Sequence, residues 1–191
     1  MRQTIFTFFL VIISLQALCQ ESKRPLDEFY ITMSGGYHTG VGEYTSNDEV
    51  KHINFNDGAL FSVELTGKLD NVYCGLDMQY WRHSQSISVS KSRMVQSFGI
   101  SLQLYFKHNF RSVDFYGGGG PGVSNIKLED AEHIGREDSF LYFTLKARCG
   151  ADINFSKVLA LNIDASVMGL SLLIDNKLVF SVKAGPKIRI F

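Results

Sequence analysis

Cysteine, proline and any surplus of charge are what this sequence is short of. It holds 3 cysteines and 3 prolines in 191 residues, and 19 basic residues balance 19 acidic ones. Beyond the first twenty residues only Cys74 and Cys149 remain, too few for a disulfide scaffold. Both fall on the apolar parity of their strands and read as small fillers, with no bridge expected. A chain without net charge lacks the basic footprint of a nucleic-acid binder. No sustained helical period occurs past the N-terminal segment, which argues against a helical domain. Scarce proline beside 17 glycines, 8 tyrosines and 15 phenylalanines leans towards β structure. The length suffices for one domain with a sizeable core.

What is present is period-two patterning, clearest over 140–154. Leu141, Phe143, Leu145, Ala147, Cys149, Ala151 and Ile153 alternate with Tyr142, Thr144, Lys146, Arg148, Gly150 and Asp152. Side chains of a strand alternate between its faces, so one face is apolar and the other polar. The run exceeds the roughly 5–6 residues of a mean globular strand. It suits the about 9–11 residues that a tilted strand needs to cross a bilayer.

The N-terminus follows a different logic. Met1 and Arg2 precede an apolar core from Ile5 to Leu15, and Ala17-Leu18-Cys19 supplies small residues where a signal peptidase cuts. The expected organisation is a cleaved signal peptide over 1–19, a polar lead-in over 20–28, and one barrel domain over 29–191. Seven further alternating segments support that domain: 29–38, 59–69, 72–81, 95–107, 113–123, 158–167 and a last strand running to residue 191. Polar stretches at 39–58, 83–93 and 124–138 are expected as long loops, whereas 70–71, 108–112 and 154–157 are short turns. Asp70 and Asn71 tolerate the left-handed backbone that a tight hairpin needs.

Alternation alone permits either a soluble barrel with its apolar set inside or a membrane barrel with that set outside. Three features select the second. The polar parity carries Gly75, Gly99, Gly118, Gly120 and Gly150 with Ser101, Thr144 and Ser166, small residues that a crowded eight-stranded lumen requires. The charges Glu64, Lys68, Asp77, Lys107, Asp114, Lys146, Arg148, Asp152, Asp164, Lys183, Lys187 and Arg189 share that parity. A basic residue facing lipid at the midplane would cost about 2–4 kcal/mol. Finally, Phe29, Phe106, Phe115 and Phe155 fall at one rim, with Tyr37, Phe61, Tyr80, Phe98 and Phe180 at the other, as interface girdles do. The fold expected is all-β: a closed, antiparallel, up-and-down transmembrane β-barrel of about eight strands.

An export segment, eight alternating strands and a last strand ending at an aromatic resemble the porin-family outer-membrane β-barrel domain, in particular the small barrels of the outer-membrane protein A and OmpX type. The resemblance spans the whole mature chain and implies outer-membrane location, surrounding outer-membrane lipid and insertion by the barrel assembly machinery. Phe191 stands one residue out of phase with Ile188 and Ile190.

Candidate chemistry is thin. Gly117, Gly119 and Gly122 match a dinucleotide fingerprint in spacing, but that site needs a following helix; strand glycines relieving curvature fit better. Burial demands that lumen charges be paired, so Glu64, Asp77, Asp152 and Asp164 are expected to meet Lys107, Lys146, Arg148 and Lys183, leaving no open pore. His38, His83 and Ser84 near the outer rim could serve a lipid-modifying enzyme. Asn54, Asn56, Asp57, Glu129, Asp130, Glu132 and His133 lack the ligand series of a calcium loop. No cofactor, metal or catalytic residue is expected, nor a nucleic-acid partner. The reading is a structural or interaction protein acting through external loops, with a small-solute porin, a lipid-modifying enzyme and a soluble periplasmic ligand-binding barrel as alternatives.

Overall fold

The computed structural model describes residues 28–46, 49–88, 91–130, 137–172 and 175–190; the expected signal peptide lies outside them. Eight strands follow in order: β1 Glu28–Ser46, β2 Glu49–Leu69, β3 Val72–Ser88, β4 Lys91–Phe110, β5 Val113–Asp130, β6 Glu137–Asn154, β7 Leu159–Leu172 and β8 Asp175–Arg189. Each pairs antiparallel with its sequence neighbour, and β8 returns to β1 to close the barrel. Closure leaves no edge strand with unpaired backbone groups, the condition for strands in hydrocarbon.

The outer and inner faces follow the alternation. On β6, Leu141, Phe143 and Leu145 are 63%, 73% and 70% exposed, whereas Lys146 and Arg148 are 2% and 5%. A water-soluble barrel would invert those figures. The soluble alternative is therefore overturned: so wide an apolar exterior belongs in lipid rather than water. Cys74, half-buried, and Cys149, exposed, lie on that exterior as free thiols.

Aromatic rows bound the apolar belt. Phe61, Tyr80 and Phe98 are cross-strand partners on β2, β3 and β4, with Tyr37 and Phe180 at the same end of neighbouring strands and all of them exposed. At the opposite end Phe106, Phe115 and Phe155 are exposed and Phe29 half-buried. Phe110, also exposed there, belongs with them but was not singled out from the sequence. Nine residues separate the rows on β4, counting Phe98 and Phe106 themselves, a span suited to a tilted crossing. Above the upper row the exterior turns polar at Arg82, Gln96 and Lys127.

Strand length departs from the sequence reading. The stretches 39–58, 83–93 and 124–138 are not long loops: β1 runs to Ser46 and β2 resumes at Glu49, β3 runs to Ser88 and β4 resumes at Lys91, and β5 runs to Asp130 with β6 from Glu137. Likewise β4 continues to Phe110 and β1 begins at Glu28. Beyond the aromatic row neither face of a ribbon meets hydrocarbon. The period-two signal fades there although backbone pairing continues. At the other end the turns stay short, and Asp70 and Arg111 begin two of them with φ of 53° and 61°.

Pro121 and Pro186 mark lapses in the ladder. Pairing of β4 with β5 passes from Ser101↔Gly122 to Leu104↔Gly119, and that of β1 with β8 from Thr32↔Lys187 to Gly35↔Ala184. Proline offers no N–H to the ladder, so each interruption falls where a donor is missing.

Candidate functional site

The inward parities of the strands build the lumen in layers. At the short-turn rim, the Glu28 carboxylate has Lys68 Nζ at 3.3 Å and Arg189 Nη2 at 3.8 Å, and the Tyr30 hydroxyl donates to it. Asp114 accepts from Asn154 Nδ2 at 3.2 Å and from Asn109.

Deeper in, tyrosines form a ladder. Tyr73 stacks on Tyr105 with centroids 5.4 Å apart and planes 9° from parallel, and Tyr105 leans on Tyr116 at 5.3 Å. Lys107 Nζ lies 4.5 Å from the Tyr73 ring centre, and Lys187 Nζ 4.8 Å from that of Tyr30. Such cation–π contacts strengthen when water is excluded. Both ammonium groups reach one oxygen, Asp152 Oδ2, at 2.6 and 2.8 Å; Asn162 Nδ2 donates to Oδ1 at 2.7 Å.

Arg148 occupies the centre. Its Nη1 is 2.7 Å from Glu64 Oε1 and its Nε 2.8 Å from Asp164 Oδ2. Its guanidinium carbon lies 5.3 and 5.1 Å from the Tyr105 and Tyr116 ring centres. The rigid fork of arginine suits such a divided task, which lysine could not reproduce. Tyr116 Oη donates to Asp164 Oδ2 at 2.8 Å and accepts from Asn162 Nδ2 at 2.9 Å. Its ring lies over Gly150, where a Cβ would collide with the phenol. Beside this group, Asp77 Oδ2 takes Lys146 Nζ at 2.6 Å and Gln79 Nε2 at 2.9 Å; Lys183 Nζ reaches Oδ1 at 3.3 Å and Ser62 Oγ at 2.9 Å.

Towards the outer end the interior becomes apolar. Leu60, Trp81, Val95, Ile126, Tyr142, Met168 and Val179 form one buried cluster, and His38 packs on Trp81 with centroids 4.7 Å apart. The interior thus grades from an ionic floor to an apolar cap.

Of the charges singled out from the sequence, Glu64, Asp77, Asp152 and Asp164 meet Lys107, Lys146, Arg148, Lys183 and Lys187 in the lumen. Lys68 and Arg189 instead gather at the rim on Glu28, a residue assigned to the lead-in, and Asp114 sits among amides. Two features were missed. Tyr30, Tyr73, Tyr105 and Tyr116 all lie on the charged parity, a legible signal. The apolar cap was signalled by apolar residues on both parities at one end, as in Leu60-Phe61.

His38 is not at a solvated rim: it is 2% exposed, inside the wall. Asn54, Asn56 and Asp57 lie in β2, His83 and Ser84 in β3, and Glu129 and Asp130 in β5; their side chains, and Glu132 and His133 altogether, are outside the described residues. Gly117, Gly119 and Gly122 lie within β5, and among the described residues no helix follows to hold a pyrophosphate. Among the described residues no His, Cys, Asp or Glu cluster could hold a metal.

Solved structures share this arrangement. Outer membrane protein OprG from Pseudomonas aeruginosa matches at a TM-score of 0.63, with 11% identity over 86% of this chain and 97% of its own. This is the fold of the small outer-membrane barrels. Neisserial surface protein A matches at 0.61, with 12% identity over 84% of this chain and 96% of its own. Ail, the attachment invasion locus protein of Yersinia pestis, matches at 0.52, with 17% identity over 84% and 99%. At such identities the likeness concerns fold alone. No family model and no curated protein sequence matches.

Proposed function

We infer that the chain is an integral outer-membrane protein without enzymatic activity, a structural or interaction protein whose hairpins beyond the upper aromatic row present the interaction surface. In this reading the 1–19 segment directs export and is cleaved, and the barrel assembly machinery inserts the chain among outer-membrane lipids. The observation that carries it is the contrast on β6, greasy and exposed outside, charged and buried inside. Buried charges committed to one another favour a rigid filling over a conduit, which argues against the porin alternative. Burial of His38 against Trp81 argues against a rim enzyme that uses it. Membrane fractionation with heat-modifiable gel migration tests the whole: recovery in the soluble periplasmic fraction would overturn it. Lipopolysaccharide acylation is expected unchanged in His38→Ala and His83→Ala variants.

A further inference from the structure

The ionic network is neutral where it is sealed and cationic where it opens. In the sealed centre, Lys146, Arg148 and Lys183 face Glu64, Asp77 and Asp164, three charges of each sign. The short-turn mouth differs. There a cavity of about 560 Å³ is lined by five cations, Lys68, Lys107, Lys157, Lys187 and Arg189, against three acids, Glu28, Asp114 and Asp152.

The excess is focused at its floor. Lys107 and Lys187 converge on a single carboxylate oxygen of Asp152 at 2.6 and 2.8 Å, and the other oxygen is taken by Asn162. One carboxylate cannot neutralise two ammonium groups. Their side chains are only 7% and 4% exposed, so bulk water compensates little of the surplus, and a charge offset only by the Tyr73 and Tyr30 rings is costly to bury. Each ammonium has three donors. Asn71, Asn109, Asn154 and Ser156 ring the opening with further polar groups.

We propose that this mouth is a binding site for a small oxyanion of the phosphate class, held on the Lys107–Lys187 pair with Lys68 and Arg189 steering it from the rim. The ligand's charge completes the balance that Asp152 leaves open, and the cavity has room for more than the anion alone. The occupant is either a free phosphate-bearing solute or the phosphate of a lipid headgroup in the leaflet around the mouth.

The full chain, folded in a phosphate-free maltoside detergent and low-chloride buffer, is titrated with inorganic phosphate by calorimetry. Saturable binding at one site is expected. Lys187→Gln keeps Asp152 paired through Lys107 and Asn162, and should bind about tenfold more weakly. Lys68→Gln, which leaves Arg189 on Glu28, should weaken binding less. Lys127→Gln, which removes an equal charge from the outer face of β5, should bind as the unaltered chain does. Heat-modifiable migration identifies the folded variants. Repeating the titration in phospholipid nanodiscs separates the sources: retained binding marks a free solute, and lost binding marks a headgroup already in place. Absence of saturation in detergent, or equal affinity in folded Lys187→Gln and Lys127→Gln, would overturn the site.

Discussion

At the scale of single residues, Arg148 ties together the ionic centre of the lumen. It satisfies Glu64 and Asp164 at once and lies against both the Tyr105 and Tyr116 rings. Removing one member of a buried pair strands its partner, at a cost of about 3–5 kcal/mol. Arg148→Met is therefore expected to lower the unfolding free energy by about that much, read from urea titrations of the folded barrel in lipid. The double change of Arg148 and Glu64 to apolar residues should cost less, because it removes one charge of each sign and leaves Lys146 and Lys183 balanced by Asp77 and Asp164. Gly150 supports the same centre by absence. Gly150→Ala would push a Cβ against the Ile163 carbonyl oxygen on β7 and against the Tyr116 phenol, straining the ladder and the hydroxyl's bond to Asp164, with an expected loss of about 1–3 kcal/mol from overpacking. Arg111, held at a φ of 61°, pays a left-handed penalty that Arg111→Gly should relieve, by up to about 1 kcal/mol.

At the scale of the strand, one face answers to lipid and the other to the lumen, so the penalty for a charge depends on parity and depth. Leu102→Arg places a guanidinium on the exposed outer face of β4, between Phe98 and Phe106. It is expected to cost about 2–4 kcal/mol, falling to about 0–1 for an arginine near either aromatic row. Equal losses at both depths would count against a hydrocarbon surround. The strands also explain where sequence reading stopped short. Alternation was legible for 72–81 and 140–154 because lipid imposes it. It was not legible over 39–58, where β1 and β2 continue as a ladder that no apolar face reports.

At the scale of the whole molecule, the sealed ionic centre and the apolar cap of Trp81, Tyr142 and their neighbours stand in series along the lumen. Reconstituted in planar bilayers, the protein is expected to give no steady large conductance; a stable open channel would contradict a side-chain-filled interior. Weakening the cap alone, by Trp81→Ala, should leave conductance near zero because the charged centre still blocks the path.

The sequence alone determined the number of strands, their up-and-down order and the face each turns outward, since period-two alternation is a local property of the chain. Only tertiary structure decided which charges meet. Lys183 reaches Asp77 from 106 residues away and Arg148 reaches Glu64 from 84, contacts fixed by barrel closure and strand stagger rather than by neighbouring residues. The same closure gathered four scattered tyrosines into one ladder and left the mouth with more cations than acids, because a charge balance within a cavity depends on which strands surround it.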